Sequence, residues 1–430
     1  MKVLFVDPFG DMLDLALRAQ EAKHEVVYYV NPNERHYHLV GRGLVKRTGD
    51  FKPWLPWADM TVLADNCKNL RVLDHFRAEH PEKVVFGANA IGASWETERL
   101  TGMKVLERHG IKCPPTQLCT TYEQAVSYVK KRDDVRLVSK PCGDADKSLS
   151  YCSKGPEDML FMLGKWKKEG KIKDQFILQD FIPGTEFAVG GYVGRDGFSG
   201  GWEENFEHKK LMPGEIGTTT GEMGTVLMVT KRSKLANQML KPLEDELVNI
   251  GFLGDIDVNC IIDDHGTPWP LEFTTRFGYP ALQIQLALMD SDPITWMYDL
   301  ARGKGAETPF RQETVSLGIS MALAPFPYEP GPLELVTDFP VYGVTANNRK
   351  KLHPYHLQKG RETEWATAGQ YAMVVTGVSD TVTGAKENAV RTLKQLNIPG
   401  DVLYRNDIGD KLSKFIPELQ KHGYASGFKY

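Results

Sequence analysis

Three stretches of this 430-residue chain bring together residue types that do chemistry. The first is Leu271-Glu272-Phe273-Thr274-Thr275-Arg276-Phe277-Gly278, preceded by Asp255-Ile256-Asp257-Val258-Asn259 and the turn Asp263-Asp264-His265-Gly266. Side chains alternate along a strand, so Glu272 and Thr274 share one face, as do Asp257 and Asn259 on the neighbouring strand. Two adjacent strands would then offer oxygen ligands to one point, which suits a magnesium ion that also takes nucleotide phosphate oxygens. Arg276 follows directly and would stabilise charge on a transferring phosphoryl group. A solvated acidic hairpin with a structural Arg–Glu pair fits the same spacing.

The second stretch is Val138-Ser139-Lys140-Pro141, followed by Gly143-Asp144-Ala145-Asp146-Lys147-Ser148. Lys140 at the end of an apolar strand and Lys147 in a loop of small residues would place two ammonium groups and several backbone N–H groups on a polyphosphate. The GxxxxGK[ST] spacing of a P-loop is absent, and a surface turn with two solvated lysines is the plainer account. The third stretch runs Phe176-Ile177-Leu178-Gln179-Asp180-Phe181-Ile182-Pro183-Gly184-Thr185-Glu186. Its backbone after Gln179 would bond an adenine edge while Glu186 accepts from ribose hydroxyls. An ordinary buried strand with a solvent-facing glutamate reads the same way.

Other candidates carry less. His36 and His38 share a strand face without a third ligand, and Trp54 and Trp57, beside Arg47 and Lys52, fit a loop packed on the first domain more simply than a base-stacking platform. Composition narrows the class. Hydrophobic residues make up 41% and charged residues 25%, as in a folded globular protein with a sizeable core. With 52 Lys+Arg against 56 Asp+Glu, the net charge of −4 gives no global attraction to nucleic acid or to an acidic membrane. The six cysteines show no CxxC pair and no zinc spacing, and read as reduced thiols. The start, Met1-Lys2-Val3-Leu4-Phe5-Val6-Asp7, is too short an apolar run and too quickly acidic to be expected as a signal peptide, and no apolar run reaches membrane-spanning length. A cytoplasmic protein is expected.

The elements that must position these residues follow from periodicity. Val3–Val6, Val26–Val30, Thr61–Ala64 and Val84–Phe86 read as strands alternating with helices, which predicts a parallel sheet covered on both faces. Residues 1–90 form this first α/β domain, with a polar and aromatic excursion between Asn31 and Pro56. Residues 91–315 form a second, two-lobed domain with a lid at about 115–182. One helix is expected over Trp95–His109, another over Lys234–Asn249, and long antiparallel strands after Pro183-Gly184. Residues 316–430 read as a small α+β domain, with strands Ser316–Ala324 and Tyr371–Thr376 and the helix Gly384–Leu396.

A phosphate lysine, an adenine-edge strand, a ribose carboxylate and a paired-strand metal site occur in the order of the ATP-grasp fold, which this chain resembles. Within that fold it is similar to the glycinamide ribonucleotide synthetase family from about Val84 to Gly409. The matching stretches include Ile182-Pro183-Gly184-Thr185-Glu186, Glu207-His208-Lys209-Lys210, Thr219-Thr220-Gly221-Glu222-Met223-Gly224, Glu272 to Gly278 and Arg405-Asn406-Asp407-Ile408-Gly409. The resemblance implies a pre-ATP-grasp N-terminal domain and a carboxylate–amine ligase of purine synthesis. ATP with magnesium, or manganese, would convert an amino acid, glycine in the family, to an acyl phosphate that an amine attacks. Lys140, Lys147, Gln179, Asp180, Phe181, Ile182, Glu186 and Arg99 would bind ATP. Glu272 with Asn259, Asp257 or Thr274 would hold the metal, and Arg276 and Lys147 would be catalytic. Gly10, Glu207, His208, Lys209, Thr220 and Gly221 would shape the substrate pocket of a monomer or homodimer.

The departures concern the acceptor. The family's glycine-rich first loop, which holds a phosphate, is here Asp7-Pro8-Phe9-Gly10-Asp11, and two aspartates there would repel one. Thr274 stands for the family's metal-site asparagine, Asn259 for a glycine, and Arg99 for a lysine. The lid loop is the more acidic Asp144-Ala145-Asp146-Lys147. Two further readings therefore stay open: a ligase that uses a different amine, and a non-catalytic nucleotide-binding module.

Overall fold

The computed structural model describes residues 1–132, 134–142, 149–173, 175–304, 307–329 and 331–430. The chain forms two compact units. One comprises Met1–Ala93, Phe187–Asp257 and Thr274–Tyr430, the other Ser94–Glu186 with Val258–Phe273. The expected lid falls inside the second unit, and the expected N- and C-terminal parts both fall in the first.

In the first unit, β1 (Lys2–Val6), β2 (Glu25–Tyr29), β3 (Arg47–Thr48), β4 (Met60–Leu63) and β5 (Val84–Phe86) form the predicted parallel sheet, in the order β3-β2-β1-β4-β5. Four of the five residues of β1 and all four of β4 are buried, as expected of strands covered on both faces. The excursion between residues 31 and 56 supplies β3 and a 3₁₀ turn at Lys52–Trp54. Trp54 and Trp57 meet edge to face at 5.3 Å against this domain's core, which settles their role as packing.

The second unit holds a four-stranded antiparallel sheet of β6 (Thr116–Cys119), β7 (Leu137–Pro141), β8 (Tyr151–Cys152) and β9 (Phe176–Asp180), in the order β6-β9-β7-β8. Helices Tyr122–Lys131 and Pro156–Lys168 lay Ala125, Val129, Met159, Leu163 and Trp166 into one core with Leu137, Phe176 and Leu178. The Thr121 hydroxyl caps the first of these helices by accepting from the Gln124 N–H. Lys140 closes the sheet's second strand, so its position is fixed by a packed element.

Longer strands follow: β10 (Thr185–Gly194), β11 (Gly197–Glu207), the short hairpin β12 (Lys210–Met212) and β13 (Ile216–Thr219), β14 (Gly224–Thr230), β15 (Gly254–Ile262), β16 (Pro268–Thr274) and β17 (Val315–Leu323). The C-terminal part adds β18 (Thr337–Pro340), β19 (Leu352–Pro354), β20 (Leu357–Lys359), β21 (Trp365–Ala368), β22 (Tyr371–Ser379) and β23 (Val402–Leu403). β10, β15 and β16 have residues in both units. In the first unit β11, β14, β17, β22 and β19 pair in that order. Every residue of β17 is buried, so it takes a neighbour on each edge, and the C-terminal strands share a sheet with β14.

Two helices differ from expectation. The stretch predicted as Trp95–His109 is two helices, Ala90–Thr97 and Arg99–Arg108. Glu98 leaves helical geometry between them, and Gly102 backs so closely on the Trp95 carbonyl that a Cβ would lie 2.1 Å from its oxygen. The stretch predicted as Lys234–Asn249 is Lys234–Met239, a 3₁₀ turn at Lys241–Leu243, and Glu244–Asn249. Pro242 has no N–H to give the ladder and breaks it.

Candidate active site

Within the second unit, Arg99 opens its helix and reaches in two directions. Its Nη1 donates to Glu272 Oε2 at 2.5 Å and its Nε to the Pro141 carbonyl at 3.2 Å. Lys140, one residue earlier on β7, donates from Nζ to the Leu271 carbonyl at 3.4 Å. Lys140, expected on the phosphates, and Arg99, expected to bind ATP, are therefore tied to the β16 segment that carries the expected metal ligand. At the start of β10, Glu186 Oε1 accepts from Asn259 Nδ2 at 2.8 Å. The structure thus brings together Arg99, Lys140 and Glu272, and pairs Glu186 with Asn259.

The adenine-edge expectation is corrected in part. Gln179 is buried and its amide donates to the Thr116 hydroxyl at 3.0 Å, locking β9 to β6. The Asp180 carboxylate is paired with Arg132, and its N–H donates to the Pro115 carbonyl. The Phe181 N–H donates to the Arg136 carbonyl at 2.8 Å, with the Arg136 guanidinium 3.7 Å over its ring. These groups serve the sheet, and Ile182 is the half-buried residue that follows them. Lys147 lies outside the described residues.

Among the expected metal ligands, Asp257 departs from the expectation. It belongs to the first unit, accepts from Asn205 Nδ2 at 3.1 Å, and sits among Glu207, Glu203 and Asp255. Burial, then those carboxylates, push its pKa well above the ordinary range. Thr274 also belongs to the first unit and is half-buried. Among the described residues no group of three or more His, Cys, Asp or Glu side chains is arranged to hold a metal. Glu272 and Asn259 offer hard oxygen donors in small number, which fits magnesium carried in on nucleotide phosphates rather than an all-protein cage.

Of the expected substrate residues, His208 is corrected. It is fully buried, its Nε2 accepts from the Gly409 N–H at 3.1 Å, and burial lowers its pKa well below that of a free imidazole. It is a neutral core acceptor. Thr220 is buried and donates its hydroxyl to the Lys209 carbonyl at 2.9 Å, which ties the turn. Lys209 and Glu207 pair at 2.7 Å, and Gly221 is exposed. Arg276 donates to the Phe277 carbonyl at 3.0 Å and lies 6.0 Å from the Tyr279 ring centroid.

The first loop carries what sequence spacing did not reveal. Asp7 is fully buried and its carboxylate accepts from the N–H groups of Gly10 (2.9 Å), Asp11 (3.0 Å) and Met12 (2.6 Å), and from the Tyr28 hydroxyl. Gly10, at φ +86°, lets the loop fold over it, and a Cβ there would strike Val40 at 2.8 Å. Glu222 was also missed, although a lone carboxylate inside Thr-Thr-Gly-Glu-Met-Gly was a legible signal. Its pKa is driven well up by burial and then by Glu207.

The chain is similar to known proteins in sequence and in fold. Residues 100–282 match the family model described as phosphoribosylglycinamide synthetase, ATP-grasp (A) domain. The phosphoribosylamine–glycine ligase of Ralstonia nicotianae is 25% identical over 439 residues, spanning 96% of this chain and 99% of that protein. The Streptococcus pneumoniae enzyme of the same name is 25% identical over 436 residues, covering 96% and 100%. The crystal structure of phosphoribosylamine–glycine ligase from Thermotoga maritima superposes with a TM-score of 0.74 at 17% identity, over 95% of this chain and all of that one. The ATP-grasp fold expected from the order of the motifs is the fold this chain has.

Proposed function

We propose, for a chain that is an ATP-grasp protein resembling phosphoribosylamine–glycine ligases, that it is an ATP-dependent carboxylate–amine ligase forming a C–N bond through an acyl phosphate. The observation that carries this reading is the meeting of Arg99, Lys140 and Glu272 within one unit. Lys140 and Arg99 neutralise phosphate charge, Glu186 takes ribose hydroxyls, and Glu272 with Asn259 would hold the magnesium, or manganese, that accompanies ATP. That ion, when bound, withdraws charge from the phosphates and orients them. The residues' own task is positioning and charge neutralisation, and Arg276 stabilises charge as phosphate leaves.

Glycine is the amino acid in the named relatives and the first to test here, and the setting is the cytoplasm. The relatives' names give phosphoribosylamine as their amine. The filled first loop favours a second reading, a ligase of the same type that uses a different amine. ADP release with glycine, ATP and magnesium, with hydroxylamine trapping the activated carboxylate as a hydroxamate, tests the reaction type. Glycine-dependent hydroxamate is the expected result. Its absence across a panel of amino acids, with nucleotide still bound, would leave the non-catalytic module instead.

A further inference from the structure

Converging N–H groups at a loop entering a helix make an anion seat. In this chain the seat before helix Leu13–Glu21 is taken by the protein's own Asp7 carboxylate, which accepts all three N–H groups. A phosphate arriving there would have to displace a buried carboxylate that has four hydrogen-bond donors.

What surrounds the seat is acidic and aromatic. Asp11 is half-buried and bonded to Tyr355, and it feels Asp7, Asp65 and Arg276. Burial, reinforced by Asp7, raises its pKa to about 7. Asp65 is 7% exposed, and its Oδ1 accepts from the N–H groups of Cys67 and Lys68 at 2.7 Å each. Its Oδ2 is buried without a hydrogen-bond partner, and its charge is felt at Asp11, Arg276 and Tyr279. Tyr279 meets Tyr355 edge to face at 6.1 Å, and Tyr355 lies 4.7 Å from Tyr371. Beyond Tyr371, whose hydroxyl donates to the Glu222 carbonyl, Glu222 is 6% exposed and its Oε1 also lacks a hydrogen-bond partner. Three tyrosine faces thus stand between carboxylates at either end, two of which keep an unmet oxygen. Arg276 and Lys68 act on Asp65, Lys68 being paired with Glu34 at 2.6 Å, and Lys209, paired with Glu207 at 2.7 Å, acts on Glu222.

We infer that this cluster of carboxylates and tyrosines binds the amine substrate and that the substrate is a phosphate-free cation, held by Asp65, Asp11 and Glu222 and flanked by the tyrosine rings. A protonated amine satisfies the unmet oxygens as charge-assisted bonds and gains from aromatic faces, whereas a phosphate meets carboxylates. The inference rests on the ligase reading for its biological sense, but its test does not.

The test is calorimetric binding to the full chain of two probes on one skeleton, 1,4-diaminobutane and 4-aminobutyl phosphate. The expected result is at least tenfold tighter binding of the diamine, reduced at least tenfold by Asp65→Asn, which keeps the Oδ1 contacts to Cys67 and Lys68. Equal or tighter binding of the phosphate by the wild-type protein overturns the inference, and so does an unaltered diamine affinity in a folded Asp65→Asn protein. Should that variant not fold, Glu222→Gln replaces it, with the same tenfold loss expected and an unaltered diamine affinity overturning the inference. Manganese binding that the diamine does not displace, with no diamine binding, would mark the cluster as a metal site and overturn the inference as well. Hydroxamate formation from glycine, measured in parallel, reports the ligase reading separately.

Discussion

At the residue scale, Glu272 is the most exposed test of the site. It is held by Arg99, and both side chains are partly open to solvent, at 36% and 25% exposure. Glu272→Ala should abolish ADP release while changing stability by less than about 1 kcal/mol, since a partly exposed ion pair contributes little. Loss of activity together with a collapsed melting transition would contradict the assignment. A second residue prediction concerns pH. Glu204 is buried, accepts from the Ser233 hydroxyl at 2.7 Å, and has its pKa raised by burial from 4.5 to about 7. The folded protein therefore favours the protonated acid, and that stabilisation is complete below pH 4.5 and lost as pH rises through about 7. Glu204→Gln should flatten the fall in melting temperature between pH 5 and 8 and leave the protein more stable than wild type at pH 8. An unchanged pH profile would show that Glu204 ionises freely. Lys140, Glu186, Asn259 and Glu272 stand out by residue type and spacing, and the structure ties Lys140 to β16, pairs Glu186 with Asn259 and joins Glu272 to Arg99. What the side chains of Gln179, His208 and Thr220 touch was not legible, because a polar residue in a motif can face either a ligand or its own fold, and only burial and partners tell which.

At the element scale, two close approaches position the site and the core. Gly184, at φ +154°, starts the strand that carries Glu186, and a Cβ there would lie 2.2 Å from the Ile262 carbonyl oxygen. Gly184→Ala must push β10 away from the segment bearing Asn259, so the Glu186–Asn259 pair should loosen. A several-fold rise in KM for ATP with a smaller change in kcat is expected, by steady-state kinetics. Gly377 on β22 brings helix Val382–Leu393 down onto the sheet, and a Cβ would lie 2.0 Å from the Ala385 carbonyl oxygen. Gly377→Ala should cost about 3 kcal/mol by chemical denaturation, the usual scale for overpacking a core. Strand and helix types followed from periodicity, and β5 appears with its predicted bounds. The divided helices did not, because apolar spacing continues through Glu98 and Pro242 while the backbone does not.

At the scale of the whole molecule, ligand linkage gives the broadest check. ATP with magnesium should stabilise the chain by about 2.7 kcal/mol at a hundredfold excess over its dissociation constant, and chelation of the metal should remove most of that gain. A melting temperature indifferent to ATP and magnesium would count against the nucleotide assignment. By itself the amino-acid sequence determined that this is a folded α/β protein with a parallel N-terminal sheet, and that its motifs stand in the order of an ATP-grasp enzyme. Those properties are carried by local patterns: hydrophobic period, turn residues, and charged side chains at fixed places along strands. Only the tertiary structure decided that Arg99 meets Glu272, that His208 and Gln179 face inward, and that Asp7 fills the seat its loop builds. Those outcomes depend on which distant groups share a buried volume. A buried carboxylate must find donors wherever the fold supplies them, and no spacing along the chain records where they are.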